Sequence, residues 1–259
     1  MTSLRVIRML DTPNENISAL SRLPLLESLA IGNTHSVGRQ LRDIANTPGG
    51  HGGGRGAWPA LTHLTVDFGR GDGALSNTHL VPLAVALPTL TRLTLHNITC
   101  SGAGFGSLKL FADFRALTQL DFERVTDVGA PSPDFTPDLS ELGAVRSLQT
   151  LTLAGFNLRE SDTTRLAGLA QLLRLGVNHC GLTDDTLRPL QRSEAKLVAL
   201  SLAGNPLLTD KIEPVISRFS ATLARLDLRC TGVPRSCALL ASLAKQRVEL
   251  LHSFTPKTS

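Results

Sequence analysis

The sequence predicts an α/β solenoid of about nine to ten repeats, with a curved parallel β-sheet on the concave face and short helices on the convex face. Three observations favour this fold. An apolar pattern recurs along the chain, segments with helical periodicity separate its copies, and 42% of residues are hydrophobic although only 4% are aromatic. A core with few aromatic rings is typical of a fold that is built from many short, similar repeats. We therefore treat residues 1–259 as a single repeat domain.

The strands are predicted from a pattern in which an apolar residue is followed by apolar residues three and five positions later. Its nine copies begin at Leu4, Leu26, Leu61, Leu90, Leu117, Leu148, Leu172, Leu197 and Leu223. Successive copies lie 22, 35, 29, 27, 31, 24, 25 and 26 residues apart, and a weaker tenth copy lies near Val248 and Leu250. The last two apolar residues of each copy point to the same side of a strand. Parallel strands about 4.8 Å apart would stack these side chains into buried ladders.

The segments between the strands predict short convex helices, because a parallel strand pair needs a crossover connection. Helical periodicity is present in residues 37–46, 79–88, 162–171 and 234–245. Ser161 and Thr183 are the predicted N-caps. Pro82, Pro189 and Pro214 are expected to break longer helices, because proline has no backbone amide to donate.

Two insertions interrupt the repeat, at residues 46–59 and 127–138. Both are rich in glycine or proline, and we expect surface loops on one rim of the solenoid. A glycine and arginine nucleic-acid segment is an alternative for the first loop, but it depends on Arg55 alone. Trp58 closes that loop, and we interpret it as an anchor into the core rather than as a partner contact.

The best copies, LLRLGVNHCGLTDDTLRPL and LVALSLAGNPLLTDKIEPV, carry the pattern LxxLxLxx followed by cysteine or asparagine. This pattern resembles the leucine-rich repeat, and in particular its cysteine-containing and ribonuclease-inhibitor-like subclasses. The resemblance extends from Leu4 to about Leu251 and implies helices on the convex side and a protein-binding role. The ninth position, usually polar in that family, departs from the pattern in the middle repeats. It holds Thr12, Thr34, Gly69, Ile98, Val125, Phe156, Cys180, Asn205 and Thr231.

Charge and cysteine usage narrow the function classes. The net charge is +4, but the 26 basic and 22 acidic residues are interspersed, so nucleic-acid binding is not favoured. The sequence contains neither an apolar stretch of about 18 residues nor a signal peptide, so we expect no membrane association. The cysteines form no CxxC pair, which favours free thiols in a reducing compartment such as the cytoplasm. They lie at positions 100, 180, 230 and 237.

The strand register predicts which residues face the concave surface. Copies three to five carry charged residues there, whereas copies six to eight carry mostly small ones. Small residues allow a partner to approach closely, and flanking charges can orient it. The predicted partner-binding residues are Arg92, His96, Asp121, Glu123, Thr152, Arg174, Gly176, Asn178, Ser201, Ala203, Arg225, Asp227 and Arg229.

Chemistry at this surface is not favoured. Asp67, His96 and Glu123 share one predicted column, and such residues can ligate a divalent metal. A hydrogen-bonded row of charges is the simpler interpretation, since one histidine is poor evidence for a metal site. No hydrolase triad, zinc-binding helix or paired cysteine motif is present in the sequence. We therefore expect neither catalysis nor a cofactor, metal or small-molecule substrate.

These observations predict a non-catalytic scaffold or adaptor that binds one or more proteins. A repeat begins at Leu4 without a polar cap before it, so we expect a fragment or an end that a partner covers. A permanent assembly, for example cytoskeletal or ciliary, would provide such a cover. The resemblance leaves two alternatives open: the substrate-recognition part of a ubiquitin ligase, and a regulator of a small GTPase.

Overall fold

The computed structural model describes residues 3–10, 17–32, 37–46, 58–69, 77–97, 108–123, 139–234 and 236–252. Residues 47–57 of the first predicted insertion and all of 127–138 lie outside this part of the chain. The fold divides into two compact units. Unit 1 comprises Met1–Arg124 and Ala144–Leu148, and unit 2 comprises Val125–Gly143 and Gln149–Ser259. Whether the whole chain acts as a single domain stays a prediction.

Unit 1 contains five parallel strands that follow one another in chain order. They are β1 (Val6–Leu10), β2 (Ser28–Gly32), β3 (His63–Asp67), β4 (Arg92–His96) and β5 (Gln119–Glu123). Each strand starts two residues after the first leucine of a sequence copy, so the repeat pattern predicted both their existence and their register.

Unit 2 also contains five parallel strands in chain order. They are β6 (Thr150–Ala154), β7 (Arg174–Asn178), β8 (Ala199–Ser201), β9 (Arg225–Asp227) and β10 (Glu249–Leu251). The weak tenth copy of the sequence is therefore a true strand. Together with the helices described next, these strands confirm the leucine-rich repeat solenoid that the sequence predicted.

Short helices connect the strands. The α-helices are α1 (Val37–Asn46), α2 (Asn77–Ala86), α3 (Glu160–Ala167), α4 (Asp184–Leu187), α5 (Glu213–Phe219) and α6 (Ala238–Lys245). The 3-10 helices are Ile17–Arg22, Leu108–Asp113, Leu139–Ala144, Arg188–Arg192 and Asp210–Ile212. All four predicted helical segments contain a helix, and α1 has the predicted bounds.

Alternation along each strand builds the core. In β3, Leu64 and Val66 are each 1% exposed, whereas the residues on either side of them are only half-buried. Phenylalanine adds more to this core than the low aromatic content indicated. The rings of Phe111 and Phe122 meet edge to face at 5.8 Å between centroids, and Phe111 also lies beside Phe114. Trp58 is 2% exposed and donates from Nε1 to the Ile44 carbonyl, which confirms its anchoring role.

The predicted capping and proline effects are only partly correct. Thr183 caps α4, since its Oγ1 accepts a hydrogen bond from the Thr186 amide. Ser161 does not cap α3, because the helix starts earlier and the Asp162 carboxylate accepts from the amide of the N-cap, Arg159. Pro82 does not break a helix either, since α2 continues through it.

The other two prolines lie where an α-helix and a 3-10 helix meet. Pro189 is in the first turn of the 3-10 helix that follows α4, and Pro214 is in the first turn of α5. Proline is tolerated in a first turn because its missing amide would have no partner there. The predicted interruption of longer helices is therefore confirmed at these two positions.

The corner after a strand requires a left-handed backbone. The eighth residue of the repeat has a positive φ in five copies: Asn97, Gly155, His179, Gly204 and Cys230. Only two of these residues are glycines, and a left-handed conformation is uncommon for the others. This position sets the angle at which the chain leaves the sheet.

The ninth residue then points into the core. Phe156, Cys180, Asn205 and Thr231 are all buried at this corner position. Asn205 shows why a polar residue is useful there. Its Oδ1 accepts from the amides of Cys180 and Leu182 at 2.9 and 3.1 Å, so it satisfies two backbone donors of the preceding corner.

Candidate functional site

The sheet of unit 1 presents a charged surface that we call the unit 1 face. Its residues are His63, Thr65, Asp67, Arg92, Thr94, His96, Gln119, Asp121 and Glu123. The strand register places Asp67, His96 and Glu123 side by side, as the sequence predicted. These side chains can therefore interact across the strands.

His96 and Glu123 form an ion pair on this face. His96 Nδ1 lies 3.1 Å from Glu123 Oε2, and both side chains remain partly exposed. The hydrogen bond to Glu123 raises the pKa of His96 although partial burial opposes it. The same bond lowers the pKa of Glu123. The pair thus favours a charged imidazole.

Asp67 completes the row without joining that pair. Its Oδ1 accepts hydrogen bonds from the Gly69 amide and from Asn97 Nδ2, both at 2.8 Å. Among the described residues, no group of three histidine, cysteine or carboxylate side chains is arranged to hold a metal ion. Asp67 is thus bound to the corner residues Gly69 and Asn97, while His96 pairs with Glu123.

A second network ties other predicted contact residues to one another. Arg92 Nε donates to Gln119 Oε1 at 2.8 Å, and Gln119 Nε2 donates to Asp121 Oδ2 at 2.7 Å. Thr94 Oγ1 also donates to Asp121 Oδ2, at 3.3 Å. Asp121 is only 6% exposed, so it offers little surface to a partner. Several polar groups of the unit 1 face thus bind one another, although Asp121 Oδ1 is buried without a hydrogen-bond partner.

The sheet of unit 2 is different, and we call its exposed surface the unit 2 face. Its residues are Thr150, Thr152, Ala154, Arg174, Gly176, Asn178, Ala199, Ser201, Arg225, Asp227 and Glu249. Most of these side chains are small, and they leave a hollow of about 240 Å³ over the sheet. The arginines Arg174 and Arg225 line it at one end.

Gly176 creates the depth of this hollow. A Cβ at this position would lie 3.2 Å from Thr152 Cγ2 and 3.5 Å from Asn178 Nδ2. The first distance is tight but the second is an ordinary contact, so a small side chain would fit after a slight movement of Thr152. The glycine therefore keeps space open above the sheet.

Polar contacts fix one side of the hollow. Ser201 Oγ donates to Asn178 Oδ1 at 2.6 Å. Ala203, another predicted contact residue, lies beyond the end of β8, and its carbonyl accepts from the His179 amide at 2.9 Å. The His179 ring lies directly over Gly204, where it occupies the space that a Cβ would need.

Asp227 and Arg229 form a close internal pair. Arg229 Nε donates to Asp227 Oδ1 at 2.9 Å, and Nη2 donates to Oδ2 at 2.7 Å. Burial alone would raise the pKa of Asp227, but the hydrogen bonds from Arg229 lower it overall. This bidentate pairing keeps both side chains ionised, and their opposite charges partly cancel.

The sequence reasoning missed Glu249. The residue pairs in register with Arg225, and its Oε2 lies 3.9 Å from Arg225 Nε, which is a weak and exposed contact. The signal was available, because the tenth copy near Val248 continues the same register. Its poor match to the repeat pattern concealed it.

The repeated strand, left-handed corner and short helix define a leucine-rich repeat solenoid, a class that presents extended binding surfaces. The assignment to a subclass stays a prediction.

An internalin (inlF) from Listeria monocytogenes has a similar fold, with 20% identity and a TM-score of 0.49 over 99% of this chain and 75% of that chain. A leucine-rich repeat protein from Leptospira interrogans matches with 14% identity and a TM-score of 0.47, over 98% of this chain and 69% of that chain. No protein-family model and no curated protein matches the sequence.

The helices of the described residues are all short. None of them combines the length and the apolar character needed to cross a membrane.

Proposed function

We propose that this protein is a non-catalytic scaffold or adaptor that binds a partner protein through the unit 2 face. The hollow over Gly176 carries the proposal. Small residues at its floor permit close approach of a partner, and the charged residues around it can orient that partner. The unit 1 face, in contrast, carries mostly long or charged side chains, and several of them bind one another.

The cysteines fit a non-catalytic protein of a reducing compartment. Cys180 and Cys237 are free thiols, and both are buried. Burial raises the pKa of Cys180 to about 12, so this thiol is a poor nucleophile at neutral pH. We extend the proposal to a subunit of a larger assembly in the cytoplasm, for example a cytoskeletal one. No feature of the described residues favours a ubiquitin-ligase or GTPase-regulating role over this one.

Affinity capture with three forms of the full chain tests the proposal. Gly176→Leu fills the hollow, whereas Gly143→Leu makes the same chemical change at an exposed site with no atom within 4 Å of the added Cβ. We expect the wild type and Gly143→Leu to capture the same proteins from native extract. Gly176→Leu should reduce the yield of a specific subset by about tenfold, the equivalent of about 1.4 kcal/mol.

Circular dichroism and thermal melting must show that both variants remain folded. If all three forms then capture the same proteins in equal amounts, the unit 2 face is not the binding surface.

A further inference from the structure

We infer that the unit 2 face binds an acidic segment of its partner and holds one partner carboxylate between Arg174 and Arg225. The inference rests on the proposed function, because it specifies the chemistry of a partner bound at this face.

The two arginines stand on either side of a small residue. In the strand register, both Arg174 of β7 and Arg225 of β9 pair with Ala199 of β8. Two strand spacings place their Cα atoms about 10 Å apart. Since the Ala199 side chain is a single methyl group, it leaves the space between the two long side chains open. That space continues into the hollow over Gly176.

The positive charge of this pair is only partly balanced by neighbouring carboxylates. No ion pair is formed by Arg174 among the described residues. Arg225 forms one ion pair, the 3.9 Å contact with the exposed Glu249, and also helps to lower the pKa of Asp227 through its charge. Asp227 is the carboxylate closest to the hollow, but it is held by both donors of Arg229. An incoming anion would therefore find two available guanidinium groups.

Arginine suits this task because its planar donors match a carboxylate in a bidentate arrangement. Two arginines that converge from opposite sides can hold both oxygens of one carboxylate. The neighbouring small residues Gly176 and Ser201 then leave room for the next part of an extended segment. The site thus fits a peptide with an aspartate or glutamate beside a compact residue.

Other anions fit less well. Asp227 and Glu249 border the pair, so a doubly charged phosphate group would meet more like-charge repulsion than a carboxylate would. Nucleic-acid binding depends on many phosphate contacts along a groove, whereas two arginines about 10 Å apart can contact only one or two phosphates. A carboxylate on a protein segment is therefore the favoured ligand.

A random peptide library, displayed and selected against the full chain, provides the probe. We expect the recovered peptides to share an aspartate or glutamate at one fixed position. Their binding, measured by fluorescence anisotropy, should weaken about tenfold or more in Arg174→Ala/Arg225→Ala. The matched control Arg188→Ala/Arg218→Ala removes two exposed arginines from helices of the same unit and should leave the affinity unchanged.

A reciprocal charge change makes the test specific. Arg174→Glu should lose the acidic peptide and gain the same peptide with its key acid changed to lysine. All four arginines are exposed, so these variants should fold normally.

The outcomes separate the inference from the proposed function. If the selected peptides lose binding in Gly176→Leu but carry no shared acid and ignore the arginine variants, the inference fails and the proposed function stands. If no recovered peptide is sensitive to Gly176→Leu, both fail. If a single-stranded oligouridylate binds through the two arginines while the acidic peptides do not, the ligand is nucleic acid and the inference is overturned.

Discussion

Asn205 is the residue whose removal should most clearly destabilise unit 2. It is fully buried at the corner that follows β8. Its Oδ1 accepts from the amides of Cys180 and Leu182, and its Nδ2 donates to the carbonyls of Val177 and Leu202, both at 2.8 Å. The Asn205→Ala variant removes these four bonds and a longer one from Nδ2 to the Ala203 carbonyl at 3.4 Å, and it leaves a small cavity.

The expected cost follows from the backbone groups that lose a partner. A buried donor left unsatisfied costs about 1–3 kcal/mol, so the two amides alone give about 2–6 kcal/mol. Local relaxation and entry of water reduce this value, while the carbonyls add to it. We expect Asn205→Ala to lower the free energy of unfolding by about 3 kcal/mol.

Urea denaturation followed by circular dichroism measures this change. With a slope of about 2 kcal/mol per molar urea, the midpoint should fall by about 1.5 M. Asn157→Ala is the matched control, because it makes the same change at an exposed position and should shift the free energy by less than about 0.5 kcal/mol. A loss below about 1 kcal/mol for Asn205→Ala would show that the corner does not depend on this amide.

Three further predictions concern ionisation and backbone conformation. Glu123→Gln should lower the pKa of His96 in an NMR titration; an unchanged titration would contradict the ion pair. His96 has a raised pKa, so its contribution to the stability of the fold is complete below pH 6.5 and is lost as the pH rises through its folded pKa. Glu123 has a lowered pKa, so its contribution is complete above pH 4.5 and is lost as the pH falls through its folded pKa. Cys180 should resist iodoacetamide in the native protein at pH 8 and react only in denaturant, since burial raises its pKa to about 12. Gly204→Ala should cost about 1–3 kcal/mol in urea unfolding, because φ is +72° and the new Cβ would overlap the His179 ring; adding His179→Ala should restore only part of the loss.

The repeat pattern alone predicted the strands and their register. Two apolar residues separated by one position specify both a strand and its buried side, and a fixed position in the repeat specifies its neighbours. Leu64 therefore lies next to Leu93, and Asp67 next to His96, as expected. These features depend on periodicity, which is visible in the sequence.

The helix details were less predictable because several local solutions are possible. Ser161 is a good capping residue, yet Asp162 provides the acceptor one position later and the helix starts before both of them. Pro82 stays inside α2, since a single lost hydrogen bond does not outweigh the packing of the rest of the helix. Such choices depend on tertiary contacts that the sequence pattern does not contain.

The side-chain pairing on the two faces was the least predictable feature. Register placed Asp227 on the unit 2 face but did not show that Arg229, beyond the end of β9, would turn back to bind it. The same holds for the bond between Gln119 and Asp121 on the unit 1 face. Long side chains can reach several neighbours, so the strand position limits their partners without selecting one.

Gly176 and Gly204, both in unit 2, differ in a way that bears on function. Gly204 is required by the fold, because its backbone is left-handed and the His179 ring occupies the space of a Cβ. Gly176 has no left-handed backbone and only a mild steric constraint, since a Cβ there would lie 3.2 Å from Thr152 Cγ2. A glycine inside a strand also weakens it. Gly176→Ala should therefore change the free energy of unfolding by less than about 1 kcal/mol in either direction, because the gain from a less flexible unfolded chain is opposed by the movement that Thr152 must make. A large loss of stability in that variant would mean that packing explains the glycine; a stable variant leaves the space above the sheet, where a partner would bind, as the reason for its small size.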